Sequence, residues 1–229
     1  MPRKCIISGI KACMMHPQIS QAPVLKADRL VFGHARPPGP PLFNQLSMVM
    51  LPGVTWVGGG EGSGKTSLLR LLAGAFGSDA VQGQLRIHNV SLADSRDAYC
   101  QLVAWLDPRD TARDQQTARQ IFAELPQIHA GCNLDALQLH IAGLSLTPHL
   151  DKALYMMSSG TRRKVLMAAA MASMAPVILL DQPFMALDRP SSVYLLHLLD
   201  KAAQQSVRAW VVADYQAPPG IALAGTVEL

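Results

Sequence analysis

Gly59-Gly60-Glu61-Gly62-Ser63-Gly64-Lys65-Thr66 follows the short apolar stretch Val54 to Val57 and leads into Leu68, Leu69, Leu71, Leu72 and Phe76, which recur at helical spacing. Strand, glycine loop and helix therefore follow in order, and the loop satisfies the pattern G-x-x-x-x-G-K-[ST]. A backbone that wraps a phosphate must bring its N–H groups inward with no β-carbon in the way, which is what glycines allow. The start of the helix adds a partial positive charge. All eight residues are read as a nucleotide site, with Lys65 reaching the β- and γ-phosphates and the Thr66 hydroxyl ligating Mg²⁺. No second threonine follows: position 67 holds Ser67, so the run of nucleotide-binding residues is read to end at Thr66.

Working outward, Leu25 to Phe32 and Leu46 to Met50 read as strands separated by a turn-rich stretch containing Pro37-Pro38-Gly39-Pro40-Pro41. Gln84 to Val90 reads as an edge strand and Leu102 to Leu106 as another, while Ala112 to Gly143 carries helical patterns broken by Pro126 and Gly131. Val177-Ile178-Leu179-Leu180 is continuously apolar, as expected of a parallel strand covered on both faces, and Ala209 to Ala213 is similar. Strands alternating with helices predict an α/β fold with a mainly parallel sheet. Trp56, Trp105 and Trp210 each fall in an expected strand, and Met167, Met171 and Met174 are expected to pack a helix.

A chain of 229 residues with 49% apolar and 16% charged residues can fill one core, and is too short for two independent enzymes. Residues 23–229 are read as a single domain and residues 1–22 as a disordered extension. The longest apolar run, Val165 to Leu180, has 16 residues and is interrupted by Pro176, too short to cross a bilayer of about 30 Å. Four scattered cysteines show no paired metal spacing, and histidines 16, 88, 129, 140, 149 and 197 none either, so cytoplasmic residence is the expectation. The net charge of +4 is carried largely by Arg3, Lys4 and Lys11; without them 17 bases face 16 acids, which leaves no basic face for nucleic acid.

Further landmarks lie downstream. Met157-Ser158-Ser159-Gly160-Thr161, followed by Arg162-Arg163-Lys164 and an alanine-rich helix, stands about 20 residues before the apolar run that ends on Asp181. Ser158 or Ser159 can cap that helix, so its N-terminus presents donors. Asp181 suits a hard cation that keeps some of its waters. Ala186-Leu187-Asp188 precedes Pro190, which fits the first turn of the next helix.

Between about Leu25 and Gln216 the chain resembles the ATP-binding cassette (ABC) family of P-loop ATPases. The Ser158 to Thr161 stretch resembles that family's Leu-Ser-Gly-Gly-Gln signature, Val177 to Asp181 its Walker B strand, and Ala186 to Asp188 its D-loop. The resemblance implies a parallel core sheet, an antiparallel β subdomain, and a helical subdomain at about 112–165 that carries the signature. It implies Mg-ATP as cofactor, with Thr66 and Asp181 on the metal. Two cassettes would close on ATP so that Ser158 and Gly160 of one face the loop of the other. A separate membrane-spanning permease is implied as partner, with this chain peripheral on the cytoplasmic face of the inner membrane.

The sequence departs from the family where the water is handled. The glutamate expected after Asp181 is Gln182, and an amide orients water without taking its proton at neutral pH. Losing a positioned base typically costs about 10² to 10⁴ in rate. The switch histidine falls at Tyr215 or its neighbour Asp214, and the glutamine expected after Leu102 to Leu106 is replaced by Asp107-Pro108-Arg109-Asp110, of which Asp107 or Asp110 can ligate metal. The adenine-stacking aromatic is represented by His34 or Phe32. Lys65, Gln182 and Tyr215 are the candidate catalytic residues. The resemblance favours a transporter ATPase whose hydrolysis is slow or partner-dependent; the alternatives are a non-hydrolysing regulatory cassette and the degenerate half of a heterodimer.

Overall fold

The computed structural model describes residues 22–33, 41–76, 81–105, 107 and 109–229. His34, Leu106, Pro108, and residues 1–21 of the expected extension lie outside the described residues.

Two sheets organise the described residues. In the first, β1 (Leu25–Phe32) pairs antiparallel with β2 (Phe43–Met50) on one side and β4 (Val81–Ile87) on the other, with β5 (Val90–Ser91) completing the order β2-β1-β4-β5. The expected edge strand at Gln84 to Val90 is thus two strands: the chain turns at His88, where φ is 50°, and β4 is flanked on both sides. The second sheet is parallel throughout, in the order β6 (Val103–Ala104), β7 (Val177–Asp181), β8 (Ala209–Ala213), β3 (Gly53–Gly58), β9 (Leu223–Glu228). Trp105 stands just past β6, not in it, because that strand pairs only with the first two residues of β7.

Among the described residues six α-helices surround these strands: α1 (Lys65–Leu72), α2 (Arg96–Gln101), α3 (Ala118–Ile128), α4 (Leu134–Gly143), α5 (Ser159–Ala172) and α6 (Arg189–Gln205). Side chains of a strand alternate between faces, and here that alternation divides the core. Val177 and Leu179 of β7 and Val211 of β8 join α1 and the antiparallel sheet in one apolar cluster. Ile178, Leu180, Trp210 and Val212 point the other way, into a cluster with α3, α4, α5 and α6. A continuously apolar strand is the consequence of having both faces covered, and each such Leu or Ile contributes about 2 kcal/mol relative to exposure.

The helix α5 is buried from Lys164 to Ala172, so its alanines are a means of close approach. Met167 and Met171 pack there, whereas Met174 lies beyond the helix end with φ 58° and is exposed, contrary to the sequence expectation. Pro126 does not break the first helical pattern: α3 runs through it to Ile128, because a proline in the last turn removes only one late hydrogen bond.

Candidate nucleotide-binding site

The glycine loop leaves β3 and closes on α1. Gly59 has φ 150°, and a β-carbon there would lie 2.4 Å from Ser63 Oγ and 2.9 Å from the Leu229 carbonyl oxygen. Gly64 caps α1 in the left-handed region, φ 104°, with Phe43 and Leu42 at its back. The first turn of α1 carries no acidic residue and no side-chain cap, so its N–H groups face the loop with their positive end uncompensated. Lys65 is 6% exposed. Its Nζ donates to the carbonyls of Gly59 at 2.6 Å and Gly60 at 2.7 Å, and lies 4.4 Å from the centre of the Tyr215 ring.

Across the loop, the Thr66 hydroxyl donates to Asp181 Oδ2 at 2.7 Å, while Oδ1 of the same carboxylate is buried without a hydrogen-bond partner. Position 67 is not a threonine: Ser67 stands there, half-buried in the first turn of α1, and Thr66 alone brings a threonine hydroxyl to Asp181 from this turn. Burial pushes the Asp181 carboxyl above its ordinary range; the Thr66 bond and the charges of Arg109 and Arg163 pull it down, and Asp107 pushes it up. An orphaned buried carboxylate oxygen next to a hydroxyl is a hard-oxygen pair suited to Mg²⁺. Among the described residues no group of three His, Cys, Asp or Glu side chains converges as a metal cage, so a cation held here would complete its shell with phosphate and water.

The segment ahead of β7 is arranged around α5. Ser158, rather than Ser159, is the N-cap, its Oγ accepting from the Thr161 amide at 3.2 Å. Gly160 is buried in the first turn: a β-carbon there would lie 2.3 Å from the Ala186 carbonyl oxygen. The basic trio is engaged within the chain: Arg162 with the Asp114 carboxylate and the Asp110 carbonyl, Arg163 with the Met185 carbonyl at 3.1 Å, and Lys164 with Asp188. Asp188 also caps α6, accepting from the Ser191 amide at 2.8 Å, so one carboxylate ties α5 to α6.

The family model described as ABC transporter matches residues 43–185. The chain belongs to the ABC transporter family. The cassette is 32% identical over 149 residues to the cytochrome c biogenesis ATP-binding export protein CcmA of Pseudomonas putida (strain GB-1), covering 65% of this chain and 70% of that one. To its counterpart in Cupriavidus pinatubonensis (strain JMP 134 / LMG 1197) it is 30% identical over 206 residues, covering 88% of each. Its fold matches that of a dimeric bacterial ABC transporter cassette with a TM-score of 0.68 at 18% identity, covering 84% of this chain and 88% of that one. Membership in this family implies ATP binding.

At the positions where the cassette departs from its family, the structure is specific. Gln182 leaves β7 with φ 46°, its amide donating to the Ala213 carbonyl at 2.7 Å. Tyr215 is exposed beside Lys65, and Asp214 stands between Tyr215 and the end of β8. Asp107 acts electrostatically on Asp181, whereas the Asp110 carboxylate is used on the Ala112 amide at 2.9 Å. Phe32 is 3% exposed, 4.4 Å from the Phe76 ring and 6.3 Å from that of Phe43, so it is core and not open to adenine; His34 lies outside the described residues. Beside Thr66 a cavity of about 520 Å³ opens between the β6 edge and the helices, lined by Arg70, Asp107, Arg109, Arg162 and His129. Sequence reasoning missed that Arg109 and Arg163 both act on Asp181. The visible signal was that each replaces or follows a family motif with a cation.

Proposed function

We propose that the chain is the nucleotide-binding subunit of an ABC export system of the cytochrome c biogenesis type. It binds Mg-ATP through Gly59, Gly60, Glu61, Gly62, Ser63, Gly64, Lys65 and Thr66, with Thr66 and Asp181 on the metal. The observation that carries this reading is the Thr66–Asp181 pair with its unpartnered Oδ1, set beside a glycine loop whose lysine is buried. Ser158 and Gly160, at the start of α5, complete the site of a facing cassette, as the dimeric relative supports. No helix among the described residues is long and apolar enough to cross a membrane. On this reading the substrate path belongs to a separate permease, with this subunit peripheral on the cytoplasmic face of the inner membrane.

Hydrolysis on this reading is slow or partner-dependent, because Gln182 brings an amide where the family brings a carboxylate. That same residue favours a second reading, in which the cassette clamps ATP without turnover or supplies the weaker half of a heterodimer. Calorimetry of Mg-ATP binding and phosphate release on one purified sample separates them. Wild type is expected to bind and turn over slowly, Lys65→Ala to lose both, and Gln182→Glu to turn over faster. Binding with turnover no higher than in Lys65→Ala selects the clamp, restored turnover on mixing with a second cassette selects the heterodimer, and absence of binding refutes the nucleotide reading.

A further inference from the structure

If Gln182 takes no proton, hydrolysis needs another acceptor, and the neighbouring strand brings one. Strand β8 lies between β7 and β3, in register Asp181↔Ala213 and Val57↔Ala213, so Asp214 is the first residue past the ladder, between Gln182 and Gly58. In parallel α/β sheets this row, outside the carboxyl ends of the strands, is where ligands are held. The backbone is pinned there: the Asp214 amide donates to the Val57 carbonyl at 3.1 Å, and its carbonyl accepts from Trp56 Nε1 at 3.2 Å. One carboxylate oxygen, Oδ1, accepts from the Tyr215 amide at 2.8 Å, which restrains the side chain at the end of the strand. The side chain is half-buried, and the charges acting on it are those of the site itself, Asp181, Lys65 and Arg163. Tyr215, stacked on Lys65, ties the same segment to the glycine loop.

Resting on the ATP-binding reading above, we propose that Asp214 is the catalytic carboxylate that orients the attacking water and accepts its proton, in place of the glutamate that Gln182 replaces. The water oxygen forms a bond to the γ-phosphorus, and the bond from that phosphorus to the β–γ bridging oxygen breaks with its electron pair left on ADP. The water's proton passes to Asp214 Oδ2, which returns it to solvent as phosphate leaves. Gln182 holds the water from its other side as an amide donor. Burial lifts the Asp214 carboxyl above its ordinary range, in the direction that makes a carboxylate a better proton acceptor.

The experiment compares the full-length protein with Asp214→Asn and with Asp214→Asn/Gln182→Glu, reading Mg-ATP affinity by calorimetry, phosphate release, and the nucleotide retained after rapid filtration. Asp214→Asn is expected to bind Mg-ATP with wild-type affinity, to lose turnover by about 10² to 10⁴, and to come off the filter carrying ATP rather than ADP. The double variant, with a carboxylate restored one strand away, is expected to regain turnover, which a folding defect does not allow. Turnover of Asp214→Asn at the wild-type rate, loss of its ATP affinity, or a double variant that binds but stays inactive each overturns the proposal, as does a wild type no faster than Lys65→Ala. A wild type that binds no Mg-ATP removes the nucleotide reading itself, whereas binding with turnover indifferent to Asp214 removes this inference alone.

Discussion

Gly160→Ala adds one methyl group where the start of α5 meets the segment between β7 and α6. The new carbon would lie 2.3 Å from the Ala186 carbonyl oxygen, 3.3 Å from its carbon and 3.5 Å from its Cβ. The Ala186 backbone has little freedom to retreat. It sits at φ 58°, a left-handed conformation that already costs an alanine about 1 to 2 kcal/mol. It is flanked by the Met185 amide on the Gln182 carbonyl at 3.1 Å, by Arg163 on the Met185 carbonyl and by the Asp188 cap. Overpacking of this kind costs about 1 to 3 kcal/mol, less the few tenths that alanine gains over glycine near a helix start. For a chain of this length that lowers the Tm by roughly 2 to 10 °C. Thermal denaturation followed by circular dichroism without nucleotide measures it. Gly131→Ala is the control, since a β-carbon there meets nothing within 4 Å. A Gly160→Ala protein that melts at or above the wild-type temperature would falsify the argument that this contact is tight.

His140 is 7% exposed, bonded to the Tyr194 hydroxyl at 2.9 Å, and burial together with Arg208 holds its pKa down at about 4. Below the ordinary value of about 6.5 the unfolded chain binds a proton that the folded one does not, so stability falls as pH drops toward 4, by about 3 kcal/mol from this group; urea titrations at both ends of that window should show a flatter dependence in His140→Gln. Lys164 first, then the Ser191 amide, draw the Asp188 carboxyl down to about 2, so its contribution is present above about pH 4 and is lost as pH falls through 2. With the Asp188 side chain 51% exposed the ion pair is screened, and Asp188→Asn, which keeps the cap, should cost no more than about 1 kcal/mol at pH 7 and nothing at pH 2 by denaturant melts. Thr66→Val removes the hydroxyl from Asp181; calorimetry should find ATP binding without Mg²⁺ unchanged and the gain on adding Mg²⁺ largely gone.

The strands that position the site were legible because burial on both faces leaves an unbroken apolar run. Ala209 to Ala213 and Val177 to Asp181 both have the bounds read from the sequence. Strand β9 was not legible: Leu223 to Glu228 lies on the sheet edge, half-exposed and mixed in composition, and only its pairing to β3 makes it a strand. The glycine loop announced itself through spacing. The interplay of Arg109, Arg163 and Asp214 with Asp181 did not, because it depends on four chain segments, the first turns of α5 and the segments at the ends of β6, β7 and β8, coming together, and no local pattern records that. Phe32 shows the converse: an aromatic at a suggestive position is taken up by two others once the antiparallel sheet forms.

The ammonium of Lys65 is engaged by two carbonyls of its own loop and an aromatic face. If Lys65 serves phosphate as proposed, nucleotide association is an exchange in which an incoming group displaces an internal competitor. A ligand can win that exchange only by offering concentrated negative charge in return for two short hydrogen bonds. Adenosine, with none, is turned away however well its base fits, and each further phosphate improves the trade. On the proposed reading, preference for the triphosphate is thus set as much by the contacts Lys65 makes within its own loop as by those the loop makes with phosphate.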